Sequence, residues 1–235
     1  MKPSRSWIPS VLVVMCSLVA VPNASASVIT IGIGAFQMGS TLTAFTGLAV
    51  GTEVNGLAVD AAVGPGGAIL FQYSLGNGRV AINIGPNTTA NINPPAIVSN
   101  AGPNNAGVLT MTFSSLVDTF GYGYALQGAG TILNGTTLSL FNGATQVGTL
   151  TFTATPDPNV PGGFAGIQST LPFNRVEATF NSVSAASFAL DNIRRGPSVA
   201  AVPEPTSLVL LGTGVLAIIR ARRRQTRLGH TRAVR

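Results

Sequence analysis

The chain has 235 residues, a formal net charge of +6 and only 9% charged residues. A basic excess of this kind is typical of nucleic-acid-binding proteins, but its distribution argues against that function. Two basic residues, Lys2 and Arg5, lie at the start, and seven lie between Arg220 and Arg235. The central stretch, residues 27–196, has four basic and six acidic residues, so its own charge is −2. A weakly acidic domain does not attract phosphate, and the sequence predicts no nucleic-acid partner.

The start of the chain has the three parts of an export signal. The two basic residues precede an apolar segment at residues 7–21, and Ala24-Ser25-Ala26 then supplies the small residues of a cleavage site. This order predicts a signal peptide over residues 1–26 and a mature chain that begins at Ser27. An uncleaved N-terminal membrane helix is the alternative.

Residues 27–196 have the pattern of a domain made of short strands. Apolar or alternating runs rich in Thr, Val, Ile and Phe are separated by Gly, Asn and Pro, as in half-buried strands. Outside the two terminal segments, no window has a helical period. The predicted strands are residues 54–59, 69–73, 80–84, 108–113, 119–126, 137–141, 147–153, 175–180 and 187–193.

Three Asn-Gly pairs predict reversals of the chain. Asn142-Gly143 lies between two alternating runs and predicts a tight β-hairpin, and Asn77-Gly78 and Asn134-Gly135 predict further turns. Many short strands joined in this way are typical of an all-β fold. The sequence therefore predicts a single β-sandwich domain.

The central domain lacks the residues of most hydrolytic centres. The only histidine, His230, lies in the tail, and the only cysteine, Cys16, lies in the apolar segment near the start. Triads based on Ser–His–Asp or Cys–His, and zinc sites built from those ligands, are therefore excluded. A glycosidase needs two acids about 5 to 10 Å apart in a cleft, and here six acids are scattered singly. We expect a protein with no catalytic residues, with the carboxylate glycosidase as an alternative.

Four residues are candidates for contact with a ligand. Asp191 and Asn192 are adjacent in the last predicted strand, where their oxygens and those of another loop can bind Ca²⁺. Alternatively, both satisfy backbone donors or pair with Arg194, and no cofactor is then needed. Tyr122 and Tyr124 alternate and share one face, so they stack on a sugar if exposed or pack in the core if buried.

The last 33 residues combine three features in a fixed order. Pro203-Glu204-Pro205 precedes an uncharged segment, residues 206–219, and four arginines follow, namely Arg220, Arg222, Arg223 and Arg224. As a helix the segment is about 21 Å long, against a hydrocarbon core of about 30 Å, so it predicts a short membrane span. Basic residues beside a span stay in the cytoplasm, which puts the domain outside it. A buried core helix followed by a basic tail is the alternative.

This order resembles the PEP-CTERM sorting signal of Gram-negative bacteria, over residues 203–224. Residues 197–202 precede it as an uncharged linker, and residues 225–235 form a basic cytoplasmic tail. The resemblance implies recognition and cleavage by an exosortase, a protease embedded in the inner membrane. It also implies an anchored protein that reaches the cell surface or the medium after processing, in association with extracellular polysaccharide or biofilm.

The second half of the domain resembles a jelly-roll passenger domain that is common among such proteins. The matching stretches are residues 109–121, 138–150, 163–167 and 188–193. The resemblance implies a lectin-like sandwich, and thus a carbohydrate-binding module as an alternative function. Exposed Tyr122, Tyr124 or Phe164 on a concave face would favour that alternative.

Overall fold

The computed structural model describes residues 26–36, 40–60, 64–85, 89–100 and 106–197. This part of the chain is nearly all β, with eleven strands and one 3-10 turn at Ile33–Ala35. None of its helical segments is long and apolar enough to cross a membrane. The strands are β1 (Val28–Thr30), β2 (Thr41–Thr43), β3 (Ala58–Val59), β4 (Ile69–Tyr73), β5 (Val80–Asn83), β6 (Ala96–Ser99), β7 (Leu109–Leu126), β8 (Ile132–Asn142), β9 (Thr145–Pro156), β10 (Pro161–Phe180) and β11 (Phe188–Pro197).

Two long strands, β7 and β10, take part in both layers of the sandwich. The first part of β7 lies between β4 and the end of β10, and its second part lies between β11 and the start of β10. Their mutual register shifts between Gln168 and Phe173 and again before Arg175. Such irregularities bend strands, so one hydrogen-bonded sheet folds over on itself.

We call the two halves of this folded sheet layer A and layer B. Layer A runs in the order β3-β4-β7-β10-β8-β9, and layer B runs β5-β6-β11-β7-β10, with β1 on β10 and β2 on β11. The core between them takes every second residue from each strand, as the pleat requires. Fully buried members include Phe71, Met111, Leu138 and Val176 of layer A and Phe120, Ile167, Leu190 and Ile193 of layer B.

The predicted all-β sandwich is confirmed, although several strand bounds differ. The strand at residues 69–73 is found as predicted, whereas the predicted strands 108–113 and 119–126 form one continuous strand, β7. The predicted strand 54–59 shrinks to β3 because a turn at Asn55-Gly56 interrupts it. Apart from Ala26, the predicted signal peptide and the C-terminal helix lie outside the described residues.

The Asn-Gly pairs behave in two different ways. Asn142-Gly143 closes the β8–β9 hairpin, with Asn142 opposite Thr145, and Asn77-Gly78 lies in the turn between β4 and β5. The turn predicted at Asn134-Gly135 is wrong, because this pair lies inside β8. Asn134 has a φ of 52° at a register shift, so the pair forms a bulge within the strand.

The guanidinium of Arg195, on β11, is fully buried and binds β2 and two loops, at Asp60 and at residues 65–67. Nε donates to the carbonyl of Pro65 and Nη2 to that of Gly67, both at 2.8 Å, while Nη1 donates to the hydroxyl of Thr43. Nη2 also lies 3.3 Å from a carboxylate oxygen of Asp60. Every nitrogen of the guanidinium therefore has an acceptor, as a buried charge requires.

We expect Arg195→Met to destabilise the fold by about 3 to 5 kcal/mol, because it leaves buried acceptors and the Asp60 carboxylate without their donor. Arg194→Met is the matched control. Arg194 is the preceding residue on the same strand, forms no ion pair among the described residues, and has a buried Nε without a hydrogen-bond partner. Its replacement should cost less than about 1 kcal/mol. Chemical denaturation measures both changes, and equal losses for the two variants would contradict this role of Arg195.

Candidate functional site

The predicted sorting residues lie outside the described residues. They are Ala24 of the cleavage site, the tripeptide Pro203, Glu204 and Pro205, and the cluster Arg220, Arg222, Arg223 and Arg224. Ala26 is the first described residue and is half-buried. The other candidate residues all lie on layer B, on β7, β10 and β11.

The two candidate tyrosines are buried in the core. Tyr122 and Tyr124 point between the layers, with their ring centroids 6.2 Å apart in an edge-to-face contact. The hydroxyl of Tyr122 lies 2.6 Å from Oγ1 of Thr136, which in turn donates to the carbonyl of Thr179. Burial raises the pKa of both tyrosines. Neither ring has a face open to a sugar, so their geometry is that of core aromatics.

The glycines between the tyrosines explain why the rings point inwards. A Cβ at Gly123 would lie 1.9 Å from the carbonyl oxygen of Asn91, and one at Gly121 would lie 2.7 Å from the ring of Phe164. The outer face of β7 is therefore covered so closely that only glycine fits there. Phe164 itself is half-buried and packs edge-on against Phe36, with centroids 5.8 Å apart. It does not form an exposed platform with the two tyrosines.

Asp191 lies on the same outer face of layer B, under the segment 89–93. It is opposite Gly123 and fully buried. Its Oδ2 accepts a hydrogen bond of 3.0 Å from the backbone N–H of Asn93, whereas Oδ1 has no hydrogen-bond partner. A buried carboxylate oxygen without a donor is costly, and this distinguishes Asp191 from the other acidic residues of the described domain.

Asn192 fastens the same segment from the neighbouring position. Its φ of 53° places it in a bulge of β11, and its side-chain N–H donates to the carbonyl of Asn91 at 3.0 Å. The side chain of Asn91 donates to Asp157 at 2.7 Å, and the N–H of Ala90 donates to the other oxygen of that carboxylate at 3.2 Å. Three polar side chains thus hold one loop against layer B.

These contacts define what the site can do chemically. Asp191 accepts from a backbone N–H, and Asn192 donates to a backbone carbonyl. No group of three or more His, Cys, Asp or Glu residues in the described part of the chain is placed to bind a metal. Asp191 is sealed from solvent and cannot reach a glycosidic bond. The arrangement is suited to fixing a loop.

Sequence reasoning missed a polar surface on the outer side of layer A. Arg175 of β10 lies over the ring of Phe141 of β8, 4.3 Å from its centroid, and 3.5 Å from the carboxylate of Glu177. The strand register places Phe141 directly opposite Arg175, and Ser139 opposite Glu177. The alternation of residues 175–179 predicts which side chains share a face, but only the pairing of β8 with β10 brings these together.

The pH dependence of stability should reveal the burial of Asp191. Burial raises the pKa of this carboxyl from 3.8 to about 6. Because the folded state binds the proton more tightly than the unfolded chain, stability from this group is lost as the pH rises from about 4 to 6. The loss is at most about 3 kcal/mol. Between pH 4 and 7, the melting temperature should change less with pH in Asp191→Asn than in wild type or in the surface control Glu177→Gln. An unchanged slope in Asp191→Asn would contradict this assignment.

Similarity to solved structures is low and covers about half of this chain. A variant of a family 29 carbohydrate-binding module has a TM-score of 0.32 and 15% identity, over 54% of this chain and 94% of that chain. Variants of the module complexed with mannohexaose and with cellulohexaose have TM-scores of 0.32 and 0.33, each at 13% identity and covering 54% of this chain, and 94% and 93% of theirs. Similarity this low does not bear on ligand or function. No curated protein matches the sequence.

The C-terminal segment matches a known motif. Residues 201–224 match the family model of the PEP-CTERM protein-sorting motif. The match includes Pro203-Glu204-Pro205, the apolar segment and the arginine cluster, as the sequence predicts. The chain therefore carries a PEP-CTERM sorting motif, which supports an exported, membrane-anchored protein.

Proposed function

We propose that this protein is an exported, non-enzymatic component of the cell surface or extracellular matrix, delivered by its C-terminal segment. The observation that carries the proposal is the PEP-CTERM match at residues 201–224. The β-sandwich is the domain that is exported, and the C-terminal segment determines its location.

The physical chemistry of the segment supports this route. The uncharged run 206–219 contains eight Leu, Val and Ile residues, which favour membrane insertion by about 2 to 5 kcal/mol in total. It is short for a span, and local thinning of the bilayer and snorkelling of Arg220 can absorb the mismatch. The arginines hold the C-terminal side in the cytoplasm, so the sandwich lies on the opposite side of the inner membrane.

An exosortase-type membrane protease is the partner that this signal implies. Strand β11 ends at Pro197, and five residues separate it from Pro203. Even fully extended, this link spans only about 20 Å, so the folded domain stays close to the membrane until the chain is cut. Cleavage near the tripeptide then releases the sandwich to the surface or the medium. Association with extracellular polysaccharide or biofilm is the role that we propose for the released domain.

A non-enzymatic role agrees with the composition of the exported domain. Residues 27–196 contain neither histidine nor cysteine. Asp191, the most perturbed carboxyl of the described residues, is enclosed and engaged with a loop. The carbohydrate-binding alternative is weakened, because Tyr122 and Tyr124 are buried in the core.

Neutralising the arginine cluster tests the proposed route. In the variant Arg220, Arg222, Arg223 and Arg224→Gln, the local signal that stops translocation is lost. We expect unprocessed protein that slips through the membrane and appears in the medium. Fractionation of cells, followed by an immunoblot against the sandwich domain, measures both location and size.

The matched control replaces the more distant arginines, Arg227, Arg232 and Arg235, with Gln. These residues lie beyond the motif and should be replaceable without loss of membrane retention or processing. Normal retention and normal processing of the four-arginine variant would contradict the proposed route.

A further inference from the structure

The folded sheet has several edges, and those of β5 and β4 are covered by other parts of the chain. The edge of β5 is bonded by the segment 51–54, through Val54 N to Val80 O at 3.1 Å and Ile82 N to Thr52 O at 2.9 Å. Sheet edges present rows of unpaired N–H and C=O groups, and proteins usually shield them in this way.

The edge of β4 is covered in the same manner. Gly56 N donates to Phe71 O at 2.8 Å and Phe71 N to Leu57 O at 2.9 Å, while the side chain of Asn55 accepts from Tyr73 N at 2.9 Å. Beyond these contacts lies only β3, which has two residues. The exposed strands at these ends are too short to pair strongly with anything else.

Strand β9, at the opposite end of layer A, differs from these edges. It has 12 residues, and it pairs with β8 from Thr145 to Ala154. It meets β10 only at Thr155 and Pro156. Along residues 146–154 no strand of the described chain pairs with its other side. The ladder with β8 shifts register at Val147 and again beyond Phe152, so residues 148–152 form the regular row of backbone donors and acceptors at this sheet end.

Within residues 148–152, strand β9 has neither a charge nor a proline to protect this edge. It reads TQVGTLTFTATP, with no charged residue, and its proline comes last. Lysine, inward-pointing charges and internal prolines are the common devices that prevent strands from pairing with other molecules. Thr149, Thr151, Thr153 and Thr155 instead form an exposed, uncharged row on one face.

The neighbouring strand shows how this row pairs. The hydroxyls of Thr137 and Thr151 are 3.0 Å apart across β8 and β9, and those of Ser139 and Thr149 are 3.1 Å apart. Cross-strand pairs of this kind stabilise antiparallel strands. A second strand with the same threonine row would extend the ladder by one more step.

We propose that β9 is a self-association edge, where two copies of this protein pair through antiparallel β9 strands about a two-fold axis. A second copy fits because β9 is complementary to itself. The strand has no charge that would repel the β9 strand of the second copy, and threonine would lie beside threonine on the exposed face. The pairing uses up the edge in both copies, so it closes at a dimer. This inference concerns the folded domain and does not depend on the sorting route.

A charge placed on β9 tests the inference, using protein recovered from the producing cells. Thr151 lies near the middle of β9, so Thr151→Lys puts two like charges close together in any nearly central register. Analytical ultracentrifugation over a wide concentration range should show dimers of wild type. The dimerisation of this variant should be weaker, by up to about fivefold. Mixing Thr151→Lys with Thr151→Glu should restore the dimer.

The matched control is Thr179→Lys. Thr179 lies on β10 on the same face, in the same cross-strand row through Thr137, and is also exposed, but it is two strands from the edge. It should dimerise as wild type does. A wild-type protein that stays monomeric at all concentrations, or equal weakening by the two lysines, would overturn the proposal.

If Thr151→Lys does not fold, cysteine cross-linking tests whether two copies pair through β9. In a Cys16→Ser background, cysteines at Thr149, Thr151 and Thr153, singly and mixed in pairs, should form disulfide-linked dimers at the positions that face each other. A cysteine at Thr179 should not. Equal cross-linking at Thr179, or none on β9, would exclude pairing through this edge.

Discussion

Both layers of this sandwich are built on the same two strands, and the rest of the structure depends on that constraint. Strands β7 and β10 bend from one layer into the other while staying paired, so the alternation of their residues must remain correct through the bend. In β7 this requirement is met by glycine on the outer face and tyrosine on the inner face at residues 121–124. The tyrosines fill the core, and the glycines allow the segment 89–93 and Phe164 to lie directly on the backbone.

The polar groups of layer B follow from this close covering. A segment that lies on the sheet must satisfy its own backbone groups, and Asp157, Asp191 and Asn192 provide partners for it. On the opposite side, Arg195 does the same for the loops at Asp60 and residues 65–67. The domain has few charged residues, and several of them hold loops against the sheet through hydrogen bonds. This agrees with the non-enzymatic role that we propose.

The sequence predicts the class of fold well because alternation and Asn-Gly pairs are local signals. It predicts β4 and the β8–β9 hairpin, but it divides β7 in two. The alternation of polar and apolar residues is interrupted at the bend, where residues 114–116 are all exposed. The bulge at Asn134-Gly135 has the same residues as a turn, and only the pairing of β8 with β9 distinguishes them. The sequence marks Asp191 as a candidate ligand residue because Asn192 follows it. Its burial, in contrast, depends on a segment about 100 residues away. The sorting motif is the most predictable feature, since its three parts are contiguous.

In the route that we propose, the β-sandwich is exported and then separated from its C-terminal anchor. The intact mass of the protein recovered from the cell surface or the medium tests this most directly, because it reports both ends of the chain in one measurement. We expect a chain that begins at Ser27 and ends near Pro203-Glu204-Pro205, without the arginine cluster. A surface or secreted species with the mass of the whole chain, from Met1 to Arg235, would contradict it.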